Sequence, residues 1–153
     1  MPKKANYLPR GQRLMNAIFA TMVRLGMIPG AHLMSVPGRK SGKIQTIPLF
    51  VLHYEGQRWL VAGFAGSDWV KNIRAAGWCE LFHDRMREKV QVIEVEDMQV
   101  RASVLREFVR RAPGASRGYT ISPDAPLEEY AAIAPEHPIF RVIEQEKNIP
   151  RRA

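Results

Sequence analysis

The rhythm of hydrophobic and polar positions changes along the chain. From about Gln12 to Met27, the apolar residues Leu14, Met15, Ile18, Phe19, Met22, Val23 and Leu25 cover a wide arc. Arg13, Asn16 and Arg24 lie near one face, and Pro29-Gly30 ends the run. This spacing predicts a helix. So wide an apolar arc fits burial against the body of the domain, with a membrane-surface or ligand-side lid and a partner-protein helix as alternatives. From residue 31 to 95 the texture is that of short strands: Leu33–Val36, Thr46–Tyr54, Arg58–Phe64, Glu80–Asp84 and Lys89–Val95. Turn signals at Gly38/Gly42, Glu55-Gly56, Gly66-Ser67 and Asp84-Arg85 separate them.

Between the third and fourth strands, Asp68–Ala76 reads as a short helix, capped by Ser67 or Asp68 and stopped by Gly77. A helix over Met98–Ala112 sets Val100, Val104, Leu105 and Phe108 against Arg101, Arg106, Arg110 and Arg111. A Pro/Gly/Ser loop over 113–126, a brief helix at Leu127–Ile133 and a last strand at Ile139–Ile143 follow. Closely spaced strands with hairpin turns predict an α+β, predominantly β fold: a small antiparallel barrel decorated by helices. No βαβ rhythm, GxGxxG or GxxxxGK[ST] pattern is present, which argues against a nucleotide-binding α/β domain. We divide the chain into a basic arm and amphipathic N-terminal helix over 1–28 and one barrel domain over 29–153.

Charge sharpens the picture. Of 23 basic residues, eight (Lys3, Lys4, Arg10, Arg13, Arg24, Arg39, Lys40 and Lys43) precede Glu55, and none of the 15 acidic residues does. The net charge of +8 therefore belongs wholly to the N-terminal third, which favours an anionic ligand, membrane surface or nucleic acid. Nucleic acid is disfavoured, because Tyr7 and Phe19 are isolated rather than interleaved with the basic residues. The single cysteine, Cys79, excludes an internal disulfide and fits a reducing, cytoplasmic setting, where it reads as a packed structural thiol. No signal peptide or run of about 20 apolar residues is seen, which leaves peripheral membrane contact through the N-terminal helix as an option.

Chemistry concentrates in Gly38-Arg39-Lys40-Ser41-Gly42, between the first two strands. Two glycines permit a tight turn with exposed amides, and Arg39, Lys40 and Ser41 add cationic and hydroxyl donors suited to phosphate or carboxylate. An ordinary solvated turn is the plainer reading of the same residues. The four histidines, His32, His53, His83 and His137, form no metal-ligand pattern, and no nucleophile motif can be read, so no metal site is expected. A chain with this inventory needs a borrowed cofactor for demanding chemistry.

The ordered set Gly38-Arg39-Lys40-Ser41-Gly42, Pro48-Leu49, Trp69-Val70-Lys71-Asn72-Ile73-Arg74-Ala75 and His137-Pro138-Ile139-Phe140-Arg141 resembles the deazaflavin-dependent nitroreductase and quinone reductase family of actinobacteria. The resemblance implies a split β-barrel of the FMN-binding type. It also implies hydride transfer from reduced coenzyme F420 to a small-molecule acceptor: a quinone, an enone or a nitro compound. By the same resemblance Arg39, Lys40, Ser41 and Gly42 grip the phosphate. Gln45, Thr46, Ile47, Pro48, Leu49 and Phe50 run along the ring, and Ala62, Gly63, Phe64 and Ala65 line its other side. Trp69 and Asn72 close the pocket, and Arg74 reaches the acidic tail. The plainer reading makes Trp69 a core plug and Arg74 an exposed helix residue. Gln45 stands where the family carries Arg. No catalytic residue is assigned; Tyr119 and Tyr130 are the candidates for supplying a proton. The competing readings are an FMN-binding split barrel and a non-enzymatic basic module on anionic membrane or nucleic acid. A homodimer is compatible with a barrel of this size.

Overall fold

The computed structural model describes residues 10–112 and 119–144. The basic arm at 1–9 and positions 113–118 of the expected loop lie outside the described residues. In chain order the elements are α1 (Arg10–Arg24), β1 (Ala31–Pro37), β2 (Ile44–Tyr54), β3 (Gln57–Val61), α2 (Asp68–Ala76), β4 (Trp78–His83) and β5 (Met86–Glu94). Then come α3 (Met98–Arg111), α4 (Leu127–Ile133), a 3-10 turn at Ala134–Glu136 and β6 (Ile139–Ile143). The six strands close into an antiparallel barrel in the order β1-β2-β3-β6-β5-β4. Closure leaves no sheet edge to protect.

Two-residue alternation sorts each strand between the barrel interior and its outer wall. Met34 and Val36 of β1, Val51 of β2, Leu60 of β3, Cys79 and Leu81 of β4, Val90 and Val92 of β5, and Phe140 and Val142 of β6 fill the interior. Val70 and Ile73 of α2 join the same cluster, so α2 plugs the barrel end at which β1 finishes. Outside, Leu52, Trp59, Val61 and Ile139 pack against Ala102, Val104, Leu105 and Val109 of α3 and Tyr130 of α4. Val23 of α1 sits on Ala31 and Leu33 in a third, smaller cluster.

The opposite barrel end closes differently. Continuing the inward alternation by one step gives His32, His53, Arg58, His83 and Glu88 on β1 to β5, and Glu144 just beyond β6. Five of these side chains engage one another directly, in two groups. Arg58 makes paired hydrogen bonds to Glu88 (2.7 and 2.8 Å) and to Glu144 (2.7 and 2.9 Å). His53 pairs with Arg58 in register, and the His32 and His83 rings stack at 4.7 Å. Their Nδ1 atoms bond the carbonyls of Gly30 and Ala31. Every strand or its immediate extension thus contributes one polar side chain to a closing layer.

Several boundaries differ from the sequence expectation by one or two residues, and three differ by more. The first helix stops at Arg24 rather than Met27, because Gly26 N–H donates to Val23 and Met27 N–H to Met22, which closes the end early. The third strand ends at Val61 rather than Phe64: Ala62 N–H reaches Pro138, and the chain then turns into α2. The fifth begins at Met86 rather than Lys89, since Arg87, Glu88 and Lys89 pair with β4 without an apolar signal.

Candidate active site

The Gly-flanked turn joins β1 to β2 at the α2 end of the barrel. Gly38 N–H donates to Lys43 (2.8 Å), Gly42 N–H to Gly38 (2.9 Å) and Lys43 N–H to Ser41 Oγ (3.2 Å). The amides of Lys40 and Ser41 take no part in these bracing bonds. Gly42 has φ +72°, a left-handed conformation that glycine adopts without strain. A Cβ at Gly38 would stand 3.1 Å from Ser41 Oγ and 3.2 Å from the Lys43 carbonyl, so this position is also cramped.

Helix α2 holds the turn in place. Asn72, only 4% exposed, accepts through Oδ1 from both Arg39 N–H (3.1 Å) and Arg39 Nη1 (2.8 Å). One buried amide oxygen therefore fixes the backbone and the guanidinium of the same residue. Asp68 Oδ1 lies 3.4 Å from Arg39 Nη2.

Between turn and helix lies a cleft of about 380 Å³ lined by Val36, Gly38, Arg39, Lys40, Ser41, Gln45, Ile47, Asp68, Trp69 and Asn72. The lining combines the cationic and hydrogen-bond donors of the turn with the apolar side chains of Val36, Ile47 and Trp69. Trp69 also packs on Phe140, with ring centroids 5.9 Å apart, so it serves core and cleft together. This donor set, with a flat aromatic beside it, fits an anionic phosphate ester attached to a planar ring.

The remaining sequence candidates are dispersed. Gly42 shapes the turn but does not line the cleft. Thr46 faces outward and bonds Ser35 Oγ at 2.8 Å. Pro48, Leu49 and Phe50 line a separate apolar cleft of about 290 Å³ with Phe19, Ile28 and Ala31. A strand shows alternate residues to opposite faces, so Gln45–Phe50 does not run as one continuous wall. Ala62 is buried and its carbonyl accepts from His137 Nδ1 (3.1 Å); Gly63 and Phe64 are exposed, Ala65 partly so. Arg74 makes a bidentate pair with Glu94, both contacts at 2.7 Å, and is absent from the cleft. That hydrogen bonding, from Arg74 first, holds the Glu94 carboxyl below its usual range.

Tyr130 is fully buried in the α3–α4 packing, and its hydroxyl donates to the Ser122 carbonyl at 2.8 Å. Tyr119 has a buried hydroxyl with no hydrogen-bond partner among the described residues, 3.7 Å from where a Gly63 Cβ would stand, and its ring lies 5.1 Å from that of His137. Burial pushes Tyr119 up to about 12, so it stays neutral at physiological pH. Burial likewise raises Cys79 to about 12, which silences it as a nucleophile. Among the described residues no group of three or more His, Cys, Asp or Glu is placed to hold a metal ion. The sequence reading missed Asp68 as a cleft residue: it stood out only as a helix cap, because its partner Arg39 is 29 residues away.

A family model described as F420H(2)-dependent quinone reductase matches residues 11–127. No curated protein matches in sequence. Among solved structures, one described as a domain-swapped dimer is 19% identical, with a TM-score of 0.54 over 87% of this chain and 96% of its own. An F420-H2 dependent reductase, FDR-A, is 21% identical, with a TM-score of 0.52 over 75% of this chain and 95% of its own. A NimC/NimA family protein from Clostridium acetobutylicum is 11% identical, with a TM-score of 0.52 and 88% of each chain covered. At such identities these likenesses speak to the fold, a split β-barrel.

Proposed function

The chain belongs to the F420H(2)-dependent quinone reductase family, and on that premise we propose that the Arg39–Asn72 cleft holds the phosphate of the coenzyme and the adjoining part of its ring. The protein is an oxidoreductase that uses reduced coenzyme F420, and a quinone-type compound is the acceptor the family implies. The observation that carries the placement is the anchoring of Arg39 by buried Asn72, in a cleft that Lys40, Ser41, Ile47 and Trp69 also line.

When bound, the coenzyme supplies a hydride equivalent. The chain's own residues do the rest. Arg39 and Lys40 neutralise the phosphate, and Asn72 keeps Arg39 oriented before binding, so little ordering remains to be done. Val36, Ile47 and Trp69 exclude water from the ring side of the cleft. A quinone that accepts hydride also takes up one proton to become a hydroquinone. Solvent is the proton source, since neither candidate tyrosine lines the cleft: the Tyr119 hydroxyl is buried and that of Tyr130 is committed to Ser122. Enone and nitro acceptors satisfy the same electron count and extend the reading.

Two association readings accompany this one. Apolar Ile18, Phe19, Leu25 and Met27 are exposed on and just after α1 within the purely cationic third, which supports peripheral contact with an anionic membrane. Liposome co-sedimentation unchanged by deletion of residues 1–28 would refute that contact. The relative described as a domain-swapped dimer supports pairing, checked by sedimentation.

The deciding experiment follows fluorescence polarisation of oxidised F420 on titration with protein, with FMN in parallel. Saturable micromolar binding (roughly −8 kcal/mol) that weakens in high salt is expected. Retention of FMN without F420 binding would move the protein to the flavin-binding barrels.

A further inference from the structure

Among the described residues lining the cleft, Asp68 is the sole carboxylate, in a region otherwise chosen for positive charge. It is the first residue of α2, where the helix dipole favours an acid. Ser67, at the cap position, spends its hydroxyl on the Phe64 carbonyl (2.7 Å) instead of the helix amides. Helix stabilisation therefore explains an acid at this position. It does not explain an acid aimed at Arg39.

The two residues of α2 that touch Arg39 do so differently. Asn72 is buried and accepts twice, at 3.1 and 2.8 Å, which fixes the residue. Asp68 has a side chain 80% exposed and makes one contact at 3.4 Å. Such a solvated pair is weak and readily displaced. Asn72 is a clamp; Asp68 is an occupant that can leave.

We propose that Asp68 is an intramolecular competitor for the anion-binding cleft: it raises the concentration at which any anion fills the cleft, so that free phosphate-class anions stay below occupancy while a ligand that also contacts Val36, Ile47 and Trp69 keeps enough affinity to bind. This rests on the coenzyme reading of the cleft. Displacing Asp68 from Arg39 imposes a fixed cost on any incoming anion. A small anion held by Arg39, Lys40 and Ser41 alone bears that cost undiminished. A phosphate ester carrying a ring regains it from Val36, Ile47 and Trp69. The result is a cleft unoccupied at ambient phosphate levels and open to the coenzyme.

The test measures F420 affinity by polarisation against increasing inorganic phosphate, for the unaltered protein, Asp68→Asn and Asp68→Glu. Thermal shifts with inorganic pyrophosphate, without coenzyme, are recorded in parallel. Asp68→Asn is expected to bind F420 about threefold tighter and to suffer phosphate competition at about threefold lower concentration. Both gains should vanish in high salt, and Asp68→Glu, which keeps the charge, should restore phosphate resistance. Unchanged or weaker F420 binding by Asp68→Asn, with phosphate sensitivity unaltered, would overturn the proposal and leave Asp68 a helix-end charge. If neither protein binds F420, the pyrophosphate shift decides. A larger shift in Asp68→Asn upholds the competitor role while removing the coenzyme reading; equal shifts remove both.

Discussion

The two ends of the barrel solve the same closure problem with opposite chemistry. At one end α2 drops Val70 and Ile73 into the apolar interior and leaves a cationic turn standing over a cleft. At the other, Arg58 is shared between Glu88 and Glu144 beside the stacked His32 and His83, and the charges there satisfy one another. Charge that is mutually paired has no demand left for a ligand. Arg39, pinned by a neutral amide and only loosely countered by Asp68, retains that demand. The contrast separates arginines that hold a fold together from arginines that wait for an anion.

The largest effect should come from breaking the paired end. Arg58→Ala removes the arginine shared by Glu88 and Glu144, each about half exposed, and should cost about 2 kcal/mol of stability, read from the urea midpoint. Coenzyme affinity of the folded fraction should be unchanged; a parallel loss of affinity would mean that the ends are not independent. Next comes the reverse experiment. Arg39→Ala combined with Lys40→Ala should weaken F420 binding tenfold or more, about 1.4 kcal/mol, with little change in Tm. Unchanged affinity in that double variant would end the anchoring assignment.

A smaller effect separates the ends by pH. Burial, joined by repulsion from His83, Arg58 and His53, holds His32 below its ordinary value of 6.5. The unfolded chain therefore protonates first. His32's contribution is complete above that value and declines as pH falls through 6.5 toward the lower folded value, by at most about 1.4 kcal/mol per pH unit. His32→Gln should flatten that slope in urea titrations between neutral and mildly acid pH without changing F420 affinity. Smallest of all, Gln45→Arg adds a cation to the cleft lining and should tighten F420 binding by a few fold.

What the sequence revealed follows how locally each feature is encoded. Asp68–Ala76, Leu127–Ile133 and Ile139–Ile143 have the boundaries their caps and periodicity predict. The turn was legible because its glycines and cations are consecutive. The polar closing layer was not, since its six members are isolated along the chain and only barrel closure gathers them. Arg74 looked available for a ligand because its partner Glu94 lies 20 residues away, beyond any helical spacing. Tyr130 carried no mark of its burial either: a tyrosine on a short helix reads alike whether its hydroxyl meets solvent or the Ser122 carbonyl.

Cys79 sits fully buried in the interior between these two ends, and it is the chain's sole cysteine. A thiol reagent added to the protein has one sulfur to find and must wait for the strands to part before finding it. The chain therefore carries its own clock: each modification counts an opening of the barrel, with no label added and no residue changed.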